Sequence, residues 1–369
     1  MTKKIRHLLG ISGGKDSAAL AIYMKARYPE IDMEYYFCDT GKELQETYDL
    51  INELETFLGK KVTFLRAAEN SPKDPFDHFL DLYGGYLPSS QARWCTKKLK
   101  LEPFEKYVGN DTVISYVAIR GDENREGYVS TKPNIQTVFP FRKNMWSIEI
   151  LNTVLHNDSI LKLLNIYMEI ASAHVVEKAS PTILEPLSSK MGFSKKLNTL
   201  LEIDTPTFNH AVFHLLKESK YPIAKLQEFS LLNNDEIIVK ENVVNLFEEY
   251  GVTYPKYYKE VEYEVNGEKG TYARSRSGCY FCFYQQKIEW VWLYERNREL
   301  FEKAMDYEKD GYSWNENESL KDLIKPERMK QIKEEHLKKI RNKLLAKKSN
   351  KLIDVLDDAE GISCVNCFI

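Results

Sequence analysis

The chain has 369 residues, 43% of them apolar and 12% aromatic, with a formal net charge of −3. That is enough apolar material for two domains, or for one domain with an insertion, and the near-neutral charge argues against a globally basic nucleic-acid binder. No apolar run approaches the roughly 20 residues of a membrane span, and the basic start is followed only by HLLGI, short of the about 7–15 residues of a signal-peptide core, so a cytoplasmic protein is expected.

In chain order, IRHLLGI reads as a strand and the residues from Ser17, SAALAIYMKARY, read as a helix, which places SGGKDS in a strand-to-helix turn. Such a turn is an anion site. Amides at a helix start lack intrahelical partners, and Gly13 and Gly14 let the backbone approach a phosphate. Lys15 adds a point charge, and Ser12 and Ser17 add hydroxyls. The P-loop pattern G-x-x-x-x-G-K-[ST] does not fit, because Leu9 stands at its first Gly and Asp16 at its Ser or Thr; G-x-G-x-x-G is absent as well.

Strands then follow at MEYYFCD, VTFLR and VISYVAIR, with helices from Glu43 to Leu58, near Pro75 to Tyr83, and from Thr96 to Val108. This alternation predicts a doubly wound parallel α/β sheet over residues 1–143, with ligands at the carboxyl ends of its strands. SGGKDS, DTGKE and RGDENREGY fall at three such ends.

Residues 144–222 read as a helical insertion that serves either as a packing or dimer surface or as the selector of an acceptor substrate. Its His156, His174 and His214 are not at metal-ligand spacing. Over residues 223–369 we expect a helix from Glu241 to Tyr250 and a hairpin turning at Asn266-Gly267. A Cys279/Cys282 knuckle, a long helix through QQKIEWVWLYERNRELFEKAMDYE and a basic helical stretch follow. The basic stretch, Lys325 to Lys351, has eleven Lys or Arg against three Glu, either a solvated face or a phosphate-backbone contact.

Six cysteines include two C-x-x-C pairs, Cys279/Cys282 and Cys364/Cys367, with 81 residues between them. In a reducing compartment four such thiolates suit Zn²⁺ or a [4Fe–4S] cluster before disulfides. Cys95, flanked by Arg93, Lys97 and Lys98 near a helix start, is expected to be a reactive thiolate that carries a persulfide, one ligand of an iron–sulfur cluster alongside Cys279 and Cys282 with the terminal pair left for another role, or a packed thiol. Cys38, in a strand, is expected to be inert.

SGGKDS resembles the PP-loop of the N-type ATP pyrophosphatases. DTGKE at 39–43, LPSSQARWCTKKLKLEPF at 87–104, IRGDENREGY at 119–128 and RSGCYFCF at 276–283 resemble, in order, the signatures of the phosphoadenosine phosphosulfate (PAPS) reductase family. The likeness covers about residues 5–142 and 235–310, and is closest in kind to the DNA phosphorothioation sulfurtransferases. It implies an adenine nucleotide alpha-hydrolase-like fold and an ATP-dependent, pyrophosphate-releasing sulfurtransferase that adenylates a nucleic acid or nucleotide.

The resemblance makes Lys15, Asp16, Cys95 and Arg120 catalytic and gives nucleotide contacts to Ser12, Gly13, Gly14, Lys15, Asp16, Ser17, Asp39, Thr40, Gly41, Arg120, Asp122, Glu123 and Arg125. Within it Asp16 would hold Mg²⁺ against phosphate oxygens, Asp39 with Thr40-Gly41 would read ribose or adenine, and Arg120 and Arg125 would fork onto phosphate. Lys97 and Lys100 would add positive charge, and Asp122 and Glu123 would orient the arginines or help hold metal. Implied partners are a cysteine desulfurase or a thioredoxin-like donor, and other subunits. Two other readings stay open: a nucleotide-sensing or scaffolding subunit, for example in phage defence, and a thioredoxin-dependent reductase of PAPS or adenosine phosphosulfate (APS). The chain lacks the E-C-G-x-H ending of assimilatory reductases and ends in SCVNCFI.

Overall fold

The computed structural model describes residues 4–126, 130–309, 311–316 and 318–346. Alternation along the first part of the chain builds β1 (Arg6–Gly10), α1 (Lys15–Arg27), β2 (Met33–Asp39), α2 (Gln45–Leu58), β3 (Val62–Arg66) and α3 (Pro75–Leu82). A short α4 (Trp94–Thr96) then runs through a π-helical turn at Lys97–Leu101 into α5 (Glu102–Val108), followed by β4 (Val113–Tyr116) and β5 (Ile135–Val138). All five strands are parallel, in the order β3-β2-β1-β4-β5, with His7 opposite both Met33 and Ile114. The fold is therefore an α/β doubly wound sheet. Its order reverses between β1 and β4, which opens a crevice at the carboxyl ends of those two strands.

The apolar runs explain the central strands, since Leu8, Leu9 and all of β4 are buried as a sheet covered on both faces demands. Two details differ from the sequence reading. β4 ends at Tyr116 rather than Arg120: Val117 still donates to the Val138 carbonyl, but Ile119 then turns back to bond the Val117 carbonyl at 3.0 Å, and the chain leaves the sheet. β5 is a strand that the pattern did not predict, because Gln136 and Thr137 interrupt its apolar character. Both are buried, and the Gln136 side chain accepts from the Ile223 amide at 2.9 Å.

The insertion contains α6 (Ile148–Leu155), α7 (Ile160–Ile170), α8 (Ala173–Leu184), α9 (Phe193–Ile203) and α10 (Thr205–Leu216). Its buried faces join those of β1, β2, α1 and α2 in one apolar core, which reaches α11 (Lys240–Glu249). Trp146, fully buried at this seam, donates its indole N–H to Asn209 at 2.9 Å. Lys196 is buried where α8 ends and caps it, its ammonium donating to the carbonyls of Ile183 at 2.9 Å and Glu185 at 2.7 Å. His156, His174 and His214 lie on the surface.

The rest of the chain forms the hairpin β6 (Val261–Val265) and β7 (Glu268–Tyr272), then α12 (Lys287–Arg296), α13 (Arg298–Asp306), α14 (Leu320–Leu323) and α15 (Pro326–Ala346). Asn266 and Gly267 both take positive φ, 51° and 76°, as a two-residue type I′ hairpin turn requires. The expected single helix over 285–308 breaks at Asn297, whose φ of −142° and ψ of 61° are not helical. A second core of Trp290, Phe301, Phe281 and Trp314 docks on α3 through Phe76, whose ring centre lies 4.5 Å from that of Phe281. Among the described residues no helix is long and apolar enough to cross a membrane.

Candidate nucleotide site

The SGGKDS loop sits at the β1 end of the crevice and is held by its own hydroxyls. Ser17 accepts from the Ser12 amide at 3.1 Å and donates to the Gly14 carbonyl at 3.1 Å, while the Ser12 hydroxyl accepts from the Gly14 amide at 3.3 Å. Gly13 has φ of +72°, and a β-carbon there would lie 2.2 Å from Thr47 Cγ2, so the position admits glycine for both conformation and space. Lys15 leaves the loop at the first residue of α1, its Nζ 4.2 Å from the centre of the Tyr258 ring. Burial lowers its pKa.

Across the crevice, the segment after β4 presents Arg120. Its guanidinium donates to Asp16 at 2.7 Å and to Asp122 at 2.9 Å, and it lies 3.5 Å from Glu123. Burial opposes its charge, but the Asp16 carboxylate outweighs this and raises its pKa. Arg125 pairs with Glu123 at 2.9 Å, and the Glu123 carboxylate also accepts from the Arg120 amide at 3.0 Å. Asp122 and Glu123 thus orient the arginines. The loop is held from behind by Arg142, which donates to the Arg120 carbonyl at 3.2 Å and to the Glu123 carbonyl at 2.6 Å. Sequence reasoning missed Arg142, because its partners are carbonyls about twenty residues upstream and leave no local pattern.

The DTGKE cluster ends β2. Asp39 accepts from the Gly41 amide and from the Tyr48 hydroxyl, both at 2.9 Å, and meets Arg66 at 3.2 Å. Thr40 donates to Glu43 at 2.6 Å, so the Cys279 thiol, 3.2 Å from the same oxygen, is the donor to Thr40. Burial raises the Glu43 carboxyl, the Thr40 bond opposing it. Lys42 turns the other way, buried between Asp74 at 2.7 Å and Asp77 at 2.9 Å, and Tyr307 donates to Asp77 at 2.6 Å. This buried network ties the C-terminal region to α3.

Tyr257, Tyr258 and Ser277 complete the SGGKDS surroundings. The Tyr257 hydroxyl donates to the Gly13 carbonyl at 2.7 Å, and the Ser277 hydroxyl stands 2.7 Å from where a β-carbon on Gly14 would be. YPKYY and RSRSG contain these residues, but nothing in their spacing says that the hairpin would fold them back onto a loop some 240 residues earlier.

Of the two cysteine pairs only Cys279/Cys282 lies among the described residues. Cys279 pairs through the backbone with Glu43, the Tyr280 amide donates to the Lys42 carbonyl at 2.9 Å, and burial pushes the Cys279 thiol well above the usual range. Cys282 follows in the same turn, its amide donating to the Cys279 carbonyl at 3.2 Å. Among the described residues no three His, Cys, Asp or Glu side chains converge to hold a metal, so Cys95 does not join Cys279 and Cys282 in such a group. Cys364 and Cys367 lie outside the described residues. Cys95, half-buried, packs against the second core. Lys97 lines a separate cavity with Arg93 and Glu102, whereas the charge of Lys100 acts on Cys38, Glu43 and Cys279. Cys38 is buried with its pKa pushed up to about 12, an inert thiol. On α15, Arg328, Lys333 and Arg341 are paired with Glu318, Glu295 and Glu268, which leaves less of the basic run for phosphates.

Residues 6–145 match the model of the phosphoadenosine phosphosulfate reductase domain. An uncharacterized protein of Methanocaldococcus jannaschii is 36% identical over 121 residues, which are 32% of this chain and 23% of that protein. A second from the same organism is 26% identical over 159 residues, 40% of this chain and 36% of that protein. An uncharacterized nin region protein of Escherichia phage lambda is 30% identical over 156 residues, 35% of this chain and 52% of that protein. The chain thus spans between about a quarter and a half of the length of these relatives. The matched residues carry β1 to β5, the SGGKDS loop and the Asp16–Arg120 pair, and they form a domain of the phosphoadenosine phosphosulfate reductase family.

Proposed function

We propose that this protein binds ATP at residues 12–17, cleaves it between the α- and β-phosphates, and adenylates a nucleic acid or nucleotide so that sulfur can displace AMP. The observation that carries the reading is the position of Asp16 and Arg120. They meet at 2.7 Å over the switch point of the sheet, beside a glycine loop shaped for phosphate. A phosphate entering there would accept from loop amides, from Lys15 and from Arg120, which are the donors that charge developing on leaving pyrophosphate needs. The acceptor oxygen attacks the α-phosphorus, and pyrophosphate leaves.

Asp16 also suits the Mg²⁺ that accompanies ATP. Magnesium takes one or two carboxylates plus substrate phosphates, and Asp16 spends only one oxygen on Arg120. That ion would neutralise phosphate charge. Among the described residues Cys279 and Cys282 supply two of the four thiolates that Zn²⁺ or a cluster takes, and Cys364 and Cys367, which would supply the other two, lie outside them. No step here depends on such a metal. A cysteine desulfurase would pass its sulfane sulfur to Cys95 as a persulfide whose outer sulfur displaces AMP, and a thioredoxin-like dithiol would then reduce the acceptor–Cys95 disulfide to free the thiolated product.

The test is pyrophosphate release from ATP by the full chain, with and without single-stranded DNA, RNA and mononucleotides. Acceptor-stimulated release of AMP and pyrophosphate is expected. ATP binding without turnover under every condition would overturn adenylation in favour of a sensing or scaffolding subunit. Thioredoxin-dependent sulfite release from PAPS or APS would overturn it in favour of a reductase.

A further inference from the structure

The 121–126 loop has two faces. One carries the Arg120–Asp122 pair toward the SGGKDS loop; the other, with Glu123 and Arg125 on it, walls a cavity of about 550 Å³ bordered by α6, α9 and the segment at Ile237. That volume lies within the range of small-ligand sites, roughly 300–1,000 Å³. The segment is fixed to the loop, since the Gly121 amide donates to the Ile238 carbonyl and the Ile238 amide to the Phe141 carbonyl, both at 3.0 Å.

The lining is mixed: Glu123, Arg125, Glu126, Arg142 and Glu202 stand on it beside apolar side chains and amides. Ile148 and Ile237 are among the large apolar side chains left exposed in the described residues, at 48% and 43%, and both line this cavity. Leu197 and Leu201 form its buried floor. At the rim stand the amides of Asn124 and Asn198 and the ammonium of Lys143, none of which makes a side-chain hydrogen bond or ion pair with another described residue. Apolar faces with unspent amides at the edge suit a flat heteroaromatic ring whose edge both donates and accepts. A free ammonium beside it suits that unit's phosphate.

We infer that this cavity binds the nucleobase of the acceptor, with Lys143 on its phosphate. The inference rests on the adenylation reading for its purpose, but not for its test. It explains what the insertion does, since α6 and α9 then hold the acceptor on one side of a loop whose other side holds ATP.

The experiment is saturation-transfer NMR on the full chain with adenosine, guanosine, cytidine, uridine and thymidine, and with short single-stranded oligonucleotides, under saturating non-hydrolysable ATP analogue. Binding of the analogue is measured separately by calorimetry. The variant is Asn198→Trp, which fills the mouth from an exposed helix position. Saturable base signals are expected in the wild type and should weaken ten-fold or more in Asn198→Trp, with analogue affinity unchanged. Signals from nucleosides would identify a free nucleoside unit, and signals from oligonucleotides alone a strand; either supports the site. No base signal from any probe, or equal signals in both proteins, would overturn it. Failure of the analogue to bind the wild type would instead sink the ATP reading, and the same probes without analogue would still decide the cavity.

Discussion

Asp16 and Arg120, 104 residues apart in the chain, meet at 2.7 Å with side chains only 11% and 12% exposed. The first lies in the first turn of α1 and the second in the segment after β4, so the contact closes the crevice at the point where the sheet reverses its winding.

Removing one member leaves the other buried without its partner. Arg120→Ala is expected to lower stability by about 3 kcal/mol, because an uncompensated buried charge is costly. It should also cut pyrophosphate release about 100-fold or more, the usual effect of losing a donor to developing negative charge. Urea unfolding and a pyrophosphate assay on the same sample separate the two effects. A folded Arg120→Ala protein of undiminished rate would remove Arg120 from the chemistry.

Gly13→Ala meets two obstacles, a positive φ and a methyl 2.2 Å from Thr47 Cγ2. The expected loss is about 2–4 kcal/mol, the conformational part near 1 and the remainder overpacking. Thr47→Ser in the Gly13→Ala background removes the clashing methyl and should restore the steric part only. A double-mutant cycle in urea reads this coupling, and additive losses would contradict the close approach.

Burial holds Lys15 below the ordinary lysine value of 10.5. ATP binding needs the charged form, so kcat/KM should fall on the alkaline side at a pH below 10.5, since this quantity reports the free enzyme. For stability the sign is opposite. Between the lowered value and 10.5 the folded state holds fewer protons than the unfolded one, so this group makes stability rise with pH across that window. Lys15→Arg stays charged and should move the alkaline limb upward, and a limb that does not move belongs to another group.

Lys42, buried between Asp74 and Asp77, is expected to be structural. Lys42→Met strands two carboxylates and should lower the urea midpoint, with an unchanged slope, by the equivalent of about 3 kcal/mol. Burial works to raise the Asp77 pKa, but Tyr307 and Lys42 prevail and hold it below 3.8. Its contribution is therefore present above 3.8 and lost as pH falls through the lowered value, and the variant should lose stability at a higher pH than the wild type. Identical acid limbs would show that Lys42 does not govern Asp77.

Much of the site was legible because its parts are local. A glycine pair between an apolar strand and an amphipathic helix, or a polar cluster at a strand end, is written in a few adjacent residues, and the strand-order rule brings such ends together. What was hidden depends on partners distant in sequence. Gln136 looks wrong for a strand until the Ile223 amide is known to lie beside it, and Arg142 looks like any surface arginine until the carbonyls of 120 and 123 converge on it. Tyr257 and Lys42 were likewise read past, since the one bonds the Gly13 carbonyl from far along the chain and the other lies between carboxylates of α3. For Cys95 the basic flanks suggest a reactive thiolate while the sequence leaves a packed thiol equally open, and its half-buried place against the second core depends on residues nearly two hundred positions further on.

The fully buried Trp146 stands one residue past the family match and pairs in antiparallel fashion with Val138 of β5. A boundary drawn by sequence similarity would therefore cut through the apolar core that the sheet and the insertion share. Residues 6–145 expressed alone would present a raw apolar face where the insertion now lies, and would precipitate rather than report on catalysis. Heritable change meets the same obstacle, because a lineage could lengthen the loops of α6 to α10 but could not delete those helices without refilling the space behind them.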